Sequence, residues 1–249
     1  MAGLISIERD GGVALVRMLR TDKHNAFNRE LSQAFIETMD ALEADDDVRC
    51  VVLTGSGAAF CAGADMNEAV TGIDDRGRSD GMATAILREA RFPKPLVGCI
   101  DGFAYGGGAL LAACCDVRIA SSRAAFRFPG AAYGLVVGAS QLPAIVGPAY
   151  AKELLFSGRV VDAAEAERIG LVNRVVPDAE AAAMELAREI AANSPAALVA
   201  TKQVVDRAVA SGEAAALEAD HNRELRASPE HHQRFRAAAD RVAKRGKPR

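Results

Sequence analysis

Apolar and polar residues alternate over positions 4–9 and again over Val13–Met18, with Gly11 and Gly12 between the two runs. That spacing predicts an antiparallel hairpin. Asn28 stands where a helix N-cap belongs, ahead of Leu31, Phe35, Met39 and Leu42, which predict one apolar helix face. Positions 48–54 and Leu96–Ile100 are continuous apolar runs, the pattern of strands covered on both faces. Shorter strands are expected at Val117–Ala120 and 125–128. Positions 71–79 are polar and contain glycine, which predicts a mobile loop. From Asp162 the pattern turns helical. Asp162 and Glu165 have capping-box spacing, and Gly170 closes that helix. A short strand at 171–176 is followed by alanine-rich helices at 178–193 and 195–210, then by two more at 212–227 and Pro229–Arg245. The chain shows neither repeats nor a disordered linker.

Composition narrows the classes. A chain of 249 residues, half of them hydrophobic, fits one α/β domain or a domain with a helical appendage. The formal net charge of −3 gives no electrostatic footprint for nucleic acid, and the basic end from Lys244 to Arg249 reads as a solvated terminus. No apolar run is long enough to span a membrane, and the first residues lack a secretion signal, so a soluble cytoplasmic protein is expected. The five cysteines form no C-x-x-C pair and lie mostly in apolar patterns, as buried free thiols do. The four histidines make no metal-binding cluster, so no metal is expected.

Two segments carry the candidate chemistry. Gly106, Gly107 and Gly108 open a helix after the Leu96–Ile100 run. Glycine lets backbone approach a ligand closely, and the first amides of a helix lack internal partners and carry the positive end of its dipole. Such a turn can hold a phosphate or the oxyanion of a polarised carbonyl. A second small-residue loop, Phe60-Cys61-Ala62-Gly63-Ala64-Asp65-Met66, follows the other buried strand. Cys61 lies beside it, but with no histidine nearby in sequence it is expected to pack rather than to act as a nucleophile.

Together these loops resemble the crotonase, or enoyl-CoA hydratase/isomerase, superfamily. The resemblance covers nearly the whole chain. It includes Lys23-His24-Asn25-Ala26-Phe27-Asn28 and the stretch from Lys94 through the three glycines to Cys114-Cys115-Asp116. Phe156-Ser157-Gly158 and the run from Asp162 to Val172 complete it. It implies a spiral of repeated ββα units over residues 1–192, with a C-terminal helical region, 193–249, that packs in a homotrimer or a dimer of trimers. It also implies an acyl-CoA ligand, with coenzyme A part of the substrate and no separate cofactor. Carried over residue by residue, the oxyanion-hole donors are the amides of Ala64 and Gly107. Ala62, Asp65 and Met66 line the coenzyme path, and Lys23 stands where a basic residue meets its phosphates. Positions 71–79 would border the acyl pocket.

The resemblance also exposes an absence. A hydratase of this family places one glutamate two residues after the glycines and another directly after a later proline. Those positions here are Leu110 and Gly130. Neither can transfer a proton, so two-glutamate hydration is not expected. The following segment, Gly134 to Leu142, carries no acid and is shorter than the family pattern. Tyr133, Ser140, Gln141, Glu68, Asp74 and Asp75 are the polar candidates nearby, with packing, capping or solvation as their ordinary roles. Two function classes stay open. One is an enzyme acting on acyl-CoA, a lyase or isomerase with an unassigned acid/base. The other is a non-catalytic acyl-CoA-binding protein. A dinucleotide-binding reading is weak, because the glycines lack the GxGxxG spacing.

Overall fold

The computed structural model describes residues 3–71, 80–209, 220 and 223–245. The hairpin forms as the alternation predicts: β1 (Ile5–Asp10) pairs antiparallel with β2 (Val13–Met18), Ile5 opposite Met18. Asn28 caps α1 (Arg29–Ala44) by accepting from the Leu31 amide, and Leu31, Phe35, Met39 and Leu42 are buried along one face. The chain then adds β3 (Cys50–Gly55), β4 (Ala59–Cys61), α2 (Met66–Thr71), α3 (Asp80–Ala90), β5 (Leu96–Ile100) and β6 (Phe103–Tyr105). Next come α4 (Gly107–Cys114), β7 (Val117–Ala120), β8 (Ala125–Arg127) and a 3-10 turn over Gly130–Tyr133. The remaining elements are α5 (Leu142–Ser157), β9 (Val160–Asp162), α6 (Ala163–Arg168), β10 (Arg174–Val175), α7 (Ala179–Ala191), α8 (Pro195–Val209) and α9 (Pro229–Arg245). Positions 72–79, expected to be a loop, and most of the helix expected over 212–227 lie outside the described residues.

The larger sheet has the order β1-β2-β3-β5-β7-β10, parallel from β2 onward. Every residue of β3 and β5 is buried, because side chains alternate between two covered faces. Val51, Leu53, Leu96 and Ile100 join the main core with α1, α3 and α4. Cys50, Val52, Val97 and Cys99 meet Ala179, Ala183, Ala187 and Ala191 of α7. That stripe of small side chains, four residues apart, lets α7 lie flush on the sheet.

The smaller sheet, β4-β6-β8-β9, positions the site. The glycine turn therefore follows the short strand β6 rather than Leu96–Ile100 directly, and the second loop follows β4 rather than β3. These three-residue strands are too short to show periodicity. The strand expected over 171–176 is only Arg174–Val175. α5 was not apparent in the sequence because Gly147, at φ 75°, and Pro148 interrupt its helical pattern.

Candidate active site

Strands β4, β6 and β8 run parallel, so their carboxyl ends lie along one edge. Ala62–Met66 leaves β4 there, the glycine turn leaves β6, and Phe128-Pro129-Gly130 leaves β8. That edge is where ligands ordinarily bind in α/β sheets.

The first two turns touch. Gly63 has φ 95°, and a Cβ on it would stand 2.7 Å from the Tyr105 carbonyl oxygen and 3.0 Å from the Gly107 nitrogen. A Cβ on Gly108 would fall 2.1 Å from the Cys61 carbonyl oxygen. Only hydrogen fits at either position, so the small residues are steric requirements. Gly63 accepts from the Phe27 amide at 2.8 Å and Asp65 donates to the Phe27 carbonyl at 2.9 Å. In this strand-like pairing the intervening Ala64 amide faces away from Phe27. Gly107 begins α4, where an amide has no acceptor inside the helix. At the other end of α4 the buried Arg118 donates to the carbonyls of Ala113 and Cys115, and it also holds the Leu171 carbonyl. The positive end of a buried helix thus faces the Gly63–Ala64 turn. This arrangement can stabilise negative charge on an oxygen placed between the two turns.

The surrounding groups hold this backbone rather than react. Asn25, fully buried, donates to the carbonyls of Ser56, Ala59 and Phe60 and so clamps β4. Cys61 donates to the Asn25 carbonyl at 3.2 Å, and burial pushes its thiol up to about 12, which removes it as a nucleophile. Ala62 donates to the His24 carbonyl at 2.9 Å, bringing the Lys23–His24 turn against the loop, with Lys23 exposed. Asp65 caps α2 through the Asn67 amide and pairs with Arg20 at 2.7 Å. Burial opposes its charge, but Arg20 and the backbone donors outweigh it and hold the carboxyl below the usual range. Met66 is the first residue of α2. Glu68 accepts from the Arg29 amide at 2.8 Å, and Ser140 donates to Gln141. Asp74 and Asp75 lie outside the described residues.

Leu110 and Gly130 face an apolar wall. Leu110 is 6% exposed, and its Cδ2 stands 2.8 Å from where a Gly138 Cβ would be. A Cβ on Gly130 would meet Val137 Cβ at 3.1 Å and the Leu135 carbonyl oxygen at 3.1 Å. The 134–142 segment thus fills the space into which a longer side chain at 130 would project. On the other side, Met82 of α3 covers Gly107, its Cγ 2.7 Å from where a Cβ would stand.

The enoyl-CoA hydratase/isomerase family model matches residues 8–249. The chain belongs to this family. It is 36% identical over 211 residues to the short-chain-enoyl-CoA hydratase of Clostridium acetobutylicum, covering 82% of this chain and 81% of that one. It is 37% identical over 177 residues to 4-chlorobenzoyl coenzyme A dehalogenase-2 of Arthrobacter sp., covering 68% of this chain and 64%, under two thirds, of the relative. Among solved structures, the carnitinyl-CoA hydratase of Mycobacterium avium superposes with a TM-score of 0.84 at 30% identity, covering 96% of each chain. The crotonase-like α/β fold and the C-terminal helices of the sequence reading are therefore present. Among the described residues, no helix is long and apolar enough to cross a membrane.

Several residues of this crotonase-family site escaped sequence reasoning. Arg20, Met82 and Arg118 act through partners remote in sequence. Asn25 was visible only as a motif letter. His231 was noted only for making no metal cluster, yet it is 4% exposed and its Nδ1 lies 2.7 Å from the Tyr133 carbonyl oxygen. Phe235 packs edge-on against the Tyr133 ring. No pattern within α9 signals a partner roughly a hundred residues earlier.

Proposed function

We propose that this chain binds an acyl-CoA thioester and stabilises its enolate between the amides of Ala64 and Gly107, as a lyase or isomerase that does not use two carboxylates. The observation that carries this reading is the contact of the two turns at Gly63 and Gly107, which leaves two donor-bearing backbones around one small space. A thioester carbonyl gains negative charge when its α-carbon loses a proton or its β-carbon gains a nucleophile. Each preorganised donor to that oxygen is typically worth about 10²–10³ in rate. The coenzyme would run past Lys23, Ala62 and Met66, while Asp65 shapes the turn through Arg20 and α2. The apolar wall of Leu110, Val137 and Phe128 suits an acyl chain. It also favours a second reading, a non-catalytic acyl-CoA-binding protein with the donors intact. Assembly as a trimer or a dimer of trimers belongs to the proposal.

The test pairs two substitutions at one position. Gly107→Pro deletes the amide hydrogen, and Gly107→Ala keeps it while placing the same Cβ against Met82. Crotonyl-CoA and a longer enoyl-CoA would be titrated calorimetrically, with loss of the conjugated thioester absorbance followed in parallel. The Ala variant is expected to bind and turn over. The Pro variant is expected to lose about 10²-fold or more in turnover. Equal behaviour of Pro variant and wild type would remove Gly107 from the site. Tight binding without turnover by the wild type would select the binding-protein reading.

A further inference from the structure

α4 enters the site as a buried helix with a partly open first turn. Gly107 is half-buried, whereas Leu110, three residues on, is buried but keeps 6% exposure. Residues three apart share one face of a helix, with Cβ positions roughly 5–6 Å apart. Helical side chains also lean towards the N-terminus, so Leu110 covers the turn that Gly107 begins. It therefore borders the proposed Gly107 donor.

The far side of Leu110 is fixed. Its Cδ2 lies 2.8 Å from where a Gly138 Cβ would stand, and that same point is 3.7 Å from both Leu155 Cδ2 and Phe128 Cδ1. Gly138 has φ 86°, a backbone that suits glycine and disfavours a side chain. The bare position receives the leucine methyl group. With Leu155 of α5 and Phe128 after β8 behind it, Leu110 has little room to retreat from Gly107. Met82 of α3 is a different kind of wall. It lies over Gly107 from the other side, and an unbranched thioether adapts to what it covers.

We infer that Leu110 is the length stop of the acyl site, so that this chain takes short acyl thioesters and excludes longer ones. The inference rests on the acyl-CoA reading above and names the substrate class within it. A carbonyl oxygen held at the Gly107 amide starts the acyl group at one end of the first helical turn, and Leu110 stands at the other. That interval admits roughly four carbons, the carbonyl included. A longer chain has to enter volume that Leu110 already fills against Gly138, and a close-packed interior does not yield it.

The test is an affinity ladder. Acetyl-, butyryl-, hexanoyl- and octanoyl-CoA would be titrated calorimetrically into wild type, Leu110→Ala and Leu110→Val. The wild type should bind butyryl-CoA best and weaken about 10-fold or more by octanoyl-CoA. Each methylene newly buried is worth roughly fourfold in affinity, so L110A should bind octanoyl-CoA about 10-fold or more tighter than the wild type does. Acetyl-CoA does not reach Leu110, and its affinity should stay within about twofold. L110V, with a smaller truncation, should gain for hexanoyl-CoA first. A mere packing defect would weaken all four ligands together. Uniform loss in L110A would thus overturn the inference, as would an L110A ladder that falls where the wild type's does. A wild-type ladder that keeps tightening through octanoyl-CoA would overturn it without any variant. Failure of the wild type to bind all four would instead overturn the acyl-CoA reading. Should L110A not fold, L110V decides: a gain for hexanoyl-CoA supports the stop, and its absence overturns it.

Discussion

Glu89 shows how much one residue's placement can govern stability. It is fully buried in α3, where the Cys115 thiol donates to Oε1 and Oε2 has no partner among the described residues. Burial raises its pKa well above the usual carboxylate value, against smaller opposing effects of Cys115 and Lys202. The folded protein therefore keeps a proton that the unfolded chain releases near its ordinary value of 4.5. Between those two values the native state binds more protons, so stability falls as pH rises. Glu89→Gln removes that titration. Thermal unfolding should show the variant gaining on the wild type as pH rises from 5 towards 8, whereas a pH-independent difference would mean the carboxyl is already charged. Glu89 was not legible in the sequence, because its spacing on α3 resembles that of any solvated acid. Gly63 and Gly108 were legible as tight turns, because close backbone contact admits so few residue types. Asn25 and Arg20 lie between these cases. Their residue types hint at hydrogen bonding, but only the folded chain shows which carbonyls and which carboxylate they serve.

At the scale of elements, legibility followed length and cooperativity. The hairpin, α1, β5, β7 and the alanine-rich helices each carry their own period or cap, and they formed close to the expected bounds. The elements that build the site are shorter. β4 and β6 have three residues each and were not expected, because what makes them strands is pairing across the chain rather than local preference, whereas β8, expected over 125–128, forms at Ala125–Arg127. α8 carries a different message. Lys202 ties it to the core through Asp116 at 2.9 Å, yet Val204 and Val205 are 68% and 54% exposed. Apolar side chains left outward on a docked helix suit the subunit contact that the family resemblance implies. If the proposed trimer or dimer of trimers uses this face, replacing both with aspartate should lower the sedimenting mass towards a single chain. An unchanged mass would place the subunit contact elsewhere.

For the whole molecule, parallel strands aim three turns at one edge, and the C-terminal helix crosses that edge. The first two turns touch at Gly63 and Gly107, where the proposed donors stand. The third brings Gly130, with Val137 occupying the volume beside it, so an apolar wall adjoins the two small-residue turns. The family was legible from ordered motifs. The packing of α9 on the Gly130–Tyr133 turn was not, because it arises only through tertiary contact. Polarisation of a thioester carbonyl by the amides of Ala64 and Gly107 is what the proposed function requires. The most direct measurement is the carbonyl ¹³C resonance of butyryl-CoA, labelled at that carbon, in saturated complexes with wild type, Gly107→Ala and Gly107→Pro. A downfield shift is expected on binding to the wild type and the Ala variant, lost in the Pro variant. A bound carbonyl that resonates where the free thioester does would contradict it.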